Sequence, residues 1–346
     1  MVELGDLSAS AGAVITIGEL VVDWIAIEKS ADWGEPDTFL RSAGGNAANV
    51  AHALSRLGIK ARLVAKVGDD LHANYLFRGL AHAGIETTFV SRTSAFATAQ
   101  CYVLTDQSDE NLFFNWPKPN ACHQLTVDDL GDELFEGAIA LHATGISLTV
   151  EPRSTAVIEA MRRARQANLL VSFDAAFPTG EGENAKRQAL EAMSLAHIIK
   201  VNLAELLYWL GDVVATNDLL QLNEYAQLLR KRTGAQVILL TLGATGSIIA
   251  ADENHFADPI TVDTLAGVGA GDAYVAFVLA FIVRQLAELR DRKKAELDWP
   301  QTLTSDLFNW SVIARSANAA GALATRTVSA SVGLPTLAEI EQILTG

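Results

Sequence analysis

Val262–Phe277 reads VDTLAGVGAGDAYVAF. Three of the six residues from Gly267 to Asp272 are glycine, a carboxylate follows at once, and an apolar run begins behind it. Such a run predicts a helix starting at the glycines. Two chemistries fit a carboxylate there. It can cap the helix, because helix N-termini favour anions. Alternatively, the amides of Gly269, Ala270 and Gly271 cradle a phosphate while Asp272 acts beside them as a base.

Four more stretches carry polar groups where ligands could reach them. In AGGNAANVAHALSRLG, Ala43–Gly58, the pair Gly44 and Gly45 lets backbone approach a ligand closely. Asn46 and Asn49 then share one helix face, and each amide both donates and accepts, which suits sugar hydroxyls; the plain alternative is Asn46 as N-cap. In GELVVDWIA, Asp23 follows an apolar strand and reads as a turn residue or as an acceptor for two hydroxyls. In KVNLAEL, Asn202 and Glu205 have the spacing of a capping box, and equally of an oxygen pair holding a hydrated Mg²⁺ against phosphates. In LLTLGATGS, Thr241 and Gly243 suit a nucleotide or an ordinary hairpin turn.

The elements that must position these groups alternate. Strands are expected at 14–17, 62–67, 138–142, 169–173, 197–201 and 237–241. Helices are expected at 47–57, 72–83, 152–167, 186–196, 219–233, 271–290, 306–324 and 336–344. This predicts one α/β domain over residues 1–346, a doubly wound and mostly parallel sheet with helices on both faces. Its ligands would sit at the carboxyl ends of the strands. Residues 24–41 and 87–116 break the rhythm and are rich in strand formers, which points to a small inserted sheet acting as a lid.

Composition excludes other classes. Half of the 346 residues are hydrophobic and 19% are charged, so a large core is available. The net charge is −15, and the one basic cluster, Arg290, Arg292, Lys293 and Lys294, closes an expected helix, which argues against a nucleic-acid partner. The longest apolar run, Ala273–Val283, is shorter than the ~20 residues a membrane span takes. Two cysteines, Cys101 and Cys122, and an N-terminus without a signal-peptide pattern fit a cytoplasmic protein. The P-loop, zincin, C-x-x-C and G-x-S-x-G patterns are absent.

Taken in order, Gly44-Gly45-Asn46 with Asn49, Asn202-x-x-Glu205, Thr241-Leu242-Gly243 and Gly269-Ala270-Gly271-Asp272 resemble the motifs of ribokinase-like (phosphofructokinase-B-type) sugar kinases. The resemblance extends over nearly the whole chain, to Ala317–Ala322 in the last long helix. It implies the ribokinase-like fold and transfer of the ATP γ-phosphoryl group to a sugar hydroxyl. Asp272 would be the base and the 269–271 amides the anion hole. Asp23, Gly44, Gly45, Asn46 and Asn49 would hold the sugar. Asn202 and Glu205 would organise Mg²⁺ through water, and Thr241, Gly243 and Asn318 would line the nucleotide. It also implies a homodimer formed through the lid.

Glu110–Thr126 and Leu141–Leu148 resemble the corresponding fructokinase segments, so a hexose such as fructose is expected, with ribose, a nucleoside or 2-keto-3-deoxygluconate as alternatives. Three departures stand out. Asp174-Ala175-Ala176-Phe177-Pro178 lacks the Asn and Arg of the usual D-x-N-x-R. Leu265–Val268 replace the single x of D-T-x-G-A-G-D, which counts against a K⁺ site at Asp263. No strongly basic residue marks a phosphosugar substrate. These departures leave a catalytically silent sugar-binding regulator as a reading of a different class.

Overall fold

The structure, a computed structural model, describes residues 12–30, 32–107, 111–176, 182–293, 297–329, 331 and 333–345. Phe177, Pro178 and Glu110 lie outside these. So do the side chains from residue 287 to 296, and with them the basic cluster from Arg290 on.

The chain begins with β1 (Ala13–Ile17), β2 (Val21–Ala26), β3 (Phe39–Gly44), α1 (Asn46–Arg56), β4 (Ala61–Gly68), α2 (Leu71–His82) and β5 (Val90–Thr93). It continues through β6 (Gln100–Thr105), β7 (Asn111–Trp116), β8 (Ala138–Thr144), α3 (Arg153–Gln166), β9 (Leu170–Asp174), α4 (Glu183–Leu195), β10 (Ile198–Asn202), α5 (Leu203–Leu210) and α6 (Leu219–Thr233). It ends with β11 (Val237–Thr241), β12 (Ser247–Ala250), β13 (Asn254–Ala257), α7 (Ala270–Lys293), α8 (Trp299–Leu303), α9 (Trp310–Ala324) and α10 (Leu337–Thr345).

Nine strands form the large sheet in the order β13-β12-β11-β10-β9-β8-β1-β4-β5. From β5 to β11 neighbours run parallel, and β12 and β13 add an antiparallel edge. Side chains alternate between faces, as the pleat requires. Val14, Leu170, Ile198 and Leu239 face α1, α7 and α9, whereas Ile15, Val171, Ile199 and Leu240 face α3, α4, α5 and α6. Both faces are covered, which is why these strands read as continuous apolar runs. The strand order reverses between β1 and β8, and the crevice above that point is where such sheets bind ligands.

The second sheet is small, in the order β3-β2-β6-β7. It draws on the two stretches that break the helical rhythm, but β2 starts before residue 24 and β3 runs on past residue 41. Val90–Thr93, which falls inside the second stretch, departs from the lid expectation: it pairs parallel with β4 as the edge of the large sheet. Four residues are too short to show which sheet they join. Asp23 is also corrected. It lies within β2 rather than at a strand end, because β2 begins after the turn that follows β1 and pairs with β3 and β6. The helix expected from 306 starts at Trp310, where Asn309 Oδ1 accepts from the Val312 amide at 3.2 Å and caps it.

No helix is long and apolar enough to cross a membrane among the described residues. Cys101 and Cys122 are both free and buried.

Candidate active site

The glycine-rich stretch does become a helix start. Ala270 and Gly271 are the first residues of α7 and Asp272 the third. Gly269 supplies the turn with φ of 85°, and its carbonyl accepts from the Ala273 amide at 2.9 Å. The amides of Gly269, Ala270 and Gly271 have no hydrogen-bond acceptor among the described residues. Unpaired donors at the positive end of a long helix make an anion site.

Asp272 is not a cap. Its Oδ2 accepts from Asn49 Nδ2 at 2.9 Å, so the carboxylate is held by a side chain from α1 and not by its own helix. Burial pushes its pKa from 3.8 up to about 7; the Asn49 hydrogen bond opposes this, Asp174 adds to it and Lys200 opposes it. A carboxylate with a pKa near 7 is matched to taking a proton at neutral pH.

Asn49 is in place because α1 starts where it does. The cap position falls on Gly45, with φ of 97° and no capping side chain, so Asn46 is helical and its amide is not the cap. A Cβ at Gly45 would lie 2.5 Å from the Glu19 carbonyl oxygen. Gly44 is tighter still. A Cβ there would lie 1.8 Å from Asp23 Oδ2. Asp23 is buried, and its pKa also rises to about 7, through burial first and the Asp272 charge second. The two carboxylates therefore share one electrostatic environment, between the small sheet and the tip of α7.

This packing makes a prediction. The motif resemblance places Asp23 at the sugar; on that reading Gly44→Ala, which displaces the Asp23 carboxyl, is expected to raise KM for the sugar by about 10-fold or more, with KM for ATP changed less than about 2-fold. Steady-state kinetics with each substrate varied in turn checks it. Equal effects on both KM values would place Asp23 outside the sugar site.

A second cluster lies on the other side of Gly271. Lys200 is register partner to Asp174 across β9 and β10. Its Nζ lies 3.1 Å from Asp174 Oδ2 and 3.8 Å from Glu205 Oε2. A Cβ added at Gly271 would lie 3.1 Å from that Nζ. Burial works against the ammonium charge, but Asp174 and then Glu205 hold its pKa above the usual lysine range. The chain thus sets a buried cation beneath the free amides.

Asn202 and Glu205 form a complete capping box at the start of α5. Asn202 Oδ1 accepts from the Glu205 amide at 2.8 Å, and Glu205 Oε2 accepts from the Asn202 amide at 2.7 Å. Burial pushes the Glu205 carboxyl up, with Lys200 opposing. No described group of three or more His, Cys, Asp or Glu could hold a metal ion. Among the described residues, only Oε2 of Glu205 is engaged by protein groups. The set therefore fits Mg²⁺ carried on phosphates, with water between ion and carboxylate, and does not fit an all-protein cage.

Thr241 ends β11, and its Oγ1 reaches the Val201 carbonyl at 3.5 Å. Gly243 sits in the exposed turn joining β11 to antiparallel β12, so the hairpin is present. Asn318 donates to the carbonyls of Ala257 and Asp258 at 3.0 and 2.8 Å, tying α9 to the loop after β13. Its side chain holds in place the edge that was expected to line the nucleotide.

Lys200 had no role in the sequence reading. A lone lysine inside the apolar strand IIKVN, aligned with the Asp that ends LVSFD, is the signal that finds it. The buried pair of Arg153 with Glu19, at 3.0 Å, was invisible. It anchors the segment under Gly45, and nothing in either residue's local sequence points to the other.

The chain matches the model of the pfkB family carbohydrate kinases over residues 12–337. It is 33% identical to Fructokinase-1 of Zea mays, over 98% of this chain and 99% of that one. It superposes on fructokinase with bound ATP from Xylella fastidiosa with a TM-score of 0.80, at 28% identity and covering 96% and 98% of the two chains. A fructokinase double mutant from Vibrio cholerae O395, in its fructose, ADP and potassium ion bound form, gives a TM-score of 0.78 at 25% identity and coverage of 97% and 99%. With its ribokinase-like fold and the unbroken order of its motifs, the chain belongs to the pfkB family of carbohydrate kinases and is an ATP-dependent sugar kinase.

Proposed function

We propose that this kinase phosphorylates a hexose, with fructose the first candidate, and that Asp272 is its general base. The carrying observation is the buried Asp272 carboxylate, held by Asn49 next to three unpaired amides at one helix tip. A sugar hydroxyl placed against Asp272 loses its proton to that carboxylate as its oxygen bonds to the γ-phosphorus of ATP, while the bond from that phosphorus to the β–γ bridging oxygen breaks and ADP leaves. The 269–271 amides receive the charge on the moving phosphoryl group, and Lys200 adds a fixed positive charge behind them. Asp23, Asn46 and Asn49 orient the sugar, and Gly44 and Gly45 allow the backbone to come close. Thr241, Gly243 and the α9 edge at Asn318 flank the nucleotide. Glu205 would hold Mg²⁺ through water, and the ion would supply neutralisation of phosphate charge.

Fructose is favoured by the fructokinases among the relatives, including one solved with fructose. A panel of fructose, glucose, ribose, adenosine and 2-keto-3-deoxygluconate with ATP and Mg²⁺, with and without K⁺, tests this. Turnover highest on ribose or adenosine would replace the hexose, and turnover on none of them would favour the silent sugar-binding regulator.

The pH profile gives a second test. Asp272 acts only when ionised, so kcat/KM is expected to rise as pH climbs towards about 7 and then level off. Asp23, also near 7, titrates with it, so the limb reports the pair rather than one residue. A profile flat from pH 5 to 8 would remove Asp272 from the chemistry.

The small sheet exposes Phe113, Phe114 and Trp116 along β7. These rings support a homodimer formed through that sheet. Sedimentation of the wild type should give a dimer and of Phe114→Asp a monomer; a monomeric wild type rules the dimer out.

A further inference from the structure

A cavity of about 650 Å³ lies beside the base of the small sheet, between β3, α1 and α2. Its wall carries His52 and Arg56 from α1 and Arg78 and His82 from α2, and no carboxylate lines it. In a chain of net charge −15, four such groups converging without an acid is a departure from the surroundings. Ser42 and Tyr75 add hydroxyls. No residue of this wall belongs to the site around Asp272, although α1 carries Asn49 nearer its tip.

The fold already engages both hydroxyls, Ser42 Oγ with Ser331 Oγ at 2.9 Å and Tyr75 OH donating to the Arg41 carbonyl at 3.2 Å, but leaves most of the nitrogen donors free. His52 is 8% exposed, and neither of its ring nitrogens has a hydrogen-bond partner among the described residues; Nε2 is fully buried and unpaired. Arg78 and His82 also have no hydrogen-bond or ion-pair partner among the described residues. Arg56 is partly engaged, with Nε donating to the Leu334 carbonyl at 3.0 Å and NH2 3.6 Å from the Glu339 carboxylate. A buried polar side chain left unpaired in a folded protein calls for a partner that is absent.

We propose that this cavity is a second binding site, for a phosphate monoester of sugar size. Guanidinium groups match phosphate oxygens in paired hydrogen bonds, and imidazole N–H groups add single donors. The volume is within the range of small-molecule sites and larger than a bare ion needs. A nucleobase is disfavoured, because Tyr75, the aromatic ring of this wall, is already stacked by Arg41 at 4.1 Å. The assignment does not depend on which sugar the kinase phosphorylates, and the test reads binding rather than turnover.

Calorimetric titration with fructose 6-phosphate and, separately, inorganic phosphate decides it, using the wild type, Arg78→Ala, His82→Gln and Asp23→Asn. The expected result is binding of fructose 6-phosphate that weakens about 10-fold or more in Arg78→Ala, weakens less in His82→Gln and is unchanged in Asp23→Asn. Arg78 and His82 are exposed on α2, so unchanged melting temperatures are expected for both variants. Inorganic phosphate should show the same dependence on Arg78 with lower affinity. Absence of binding in the wild type up to about 10 mM, or binding lost in Asp23→Asn but kept in Arg78→Ala, overturns the site. Equal affinity for both probes overturns the sugar-size assignment.

Discussion

Asp272→Asn should lose about 10²- to 10⁴-fold in kcat, keep KM for the sugar within about 3-fold, and melt at a higher temperature than the wild type at pH 8. The first two effects follow from removing the base while keeping an acceptor for Asn49 Nδ2. The third follows from the raised pKa. A carboxyl whose folded pKa rises from 3.8 to about 7 favours the fold fully below pH 4, where it is protonated in both states. That contribution is lost as pH climbs through 7, because the folded protein must then hold a buried carboxylate that the unfolded chain leaves in water. At pH 8 the cost is on the order of 2 to 4 kcal/mol. The neutral amide avoids it, so the gap in melting temperature should narrow at pH 5 and close only towards pH 4. Thermal unfolding at the two pH values, with steady-state kinetics, checks all three effects. Retained turnover would assign the base elsewhere, and a variant less stable at pH 8 would mean the ionised carboxylate is well accommodated.

Lys200→Met should be the most destabilising single change in the site. Asp174 is 2% exposed, and without the ammonium it keeps a negative charge next to Glu205 with no cation at hand. Breaking a buried pair by removing one partner costs about 3 to 5 kcal/mol, a large part of a domain's stability. Adding Asp174→Asn should recover much of this, because the stranded charge goes too. Urea unfolding of the two single variants and the double variant measures the coupling. A loss below about 1 kcal/mol in Lys200→Met would show that water or a proton already compensates Asp174. Activity should not return with stability in the double variant, since the cation under the 269–271 amides is still missing.

The parts of this site legible in the sequence are those set by local rules. Gly269 and Gly45 stand where the backbone needs positive φ, Asn46 and Asn49 share a helix face, and Asp272 follows the glycines directly. What local rules do not carry is pairing across the fold. Asn49 and Asp272 meet only because α1 packs on α7, so the helix-cap reading of Asp272 and the base reading look alike until the fold is seen. Lys200 and Asp174 meet through strand register, and Arg153 and Glu19 through the crevice between β1 and β8. Short elements escape for another reason. Val90–Thr93 and Trp299–Leu303 are too brief for either period to show, and tertiary contacts decide them.

α7 has a further consequence for how the enzyme fails. From Ala273 to Leu286 every side chain but three is buried, and this rod packs on α1 and α9 through the middle of one core. The proposed base, Asp272, is the buried carboxylate at its N-terminal end, and the Asn49 amide that holds it is near the tip of α1. Neither tip can shift far without disturbing that core, so heat should not disable the site by loosening a loop first. Inactivation and the opening of the most protected amides, those in the centre of α7, should follow one time course.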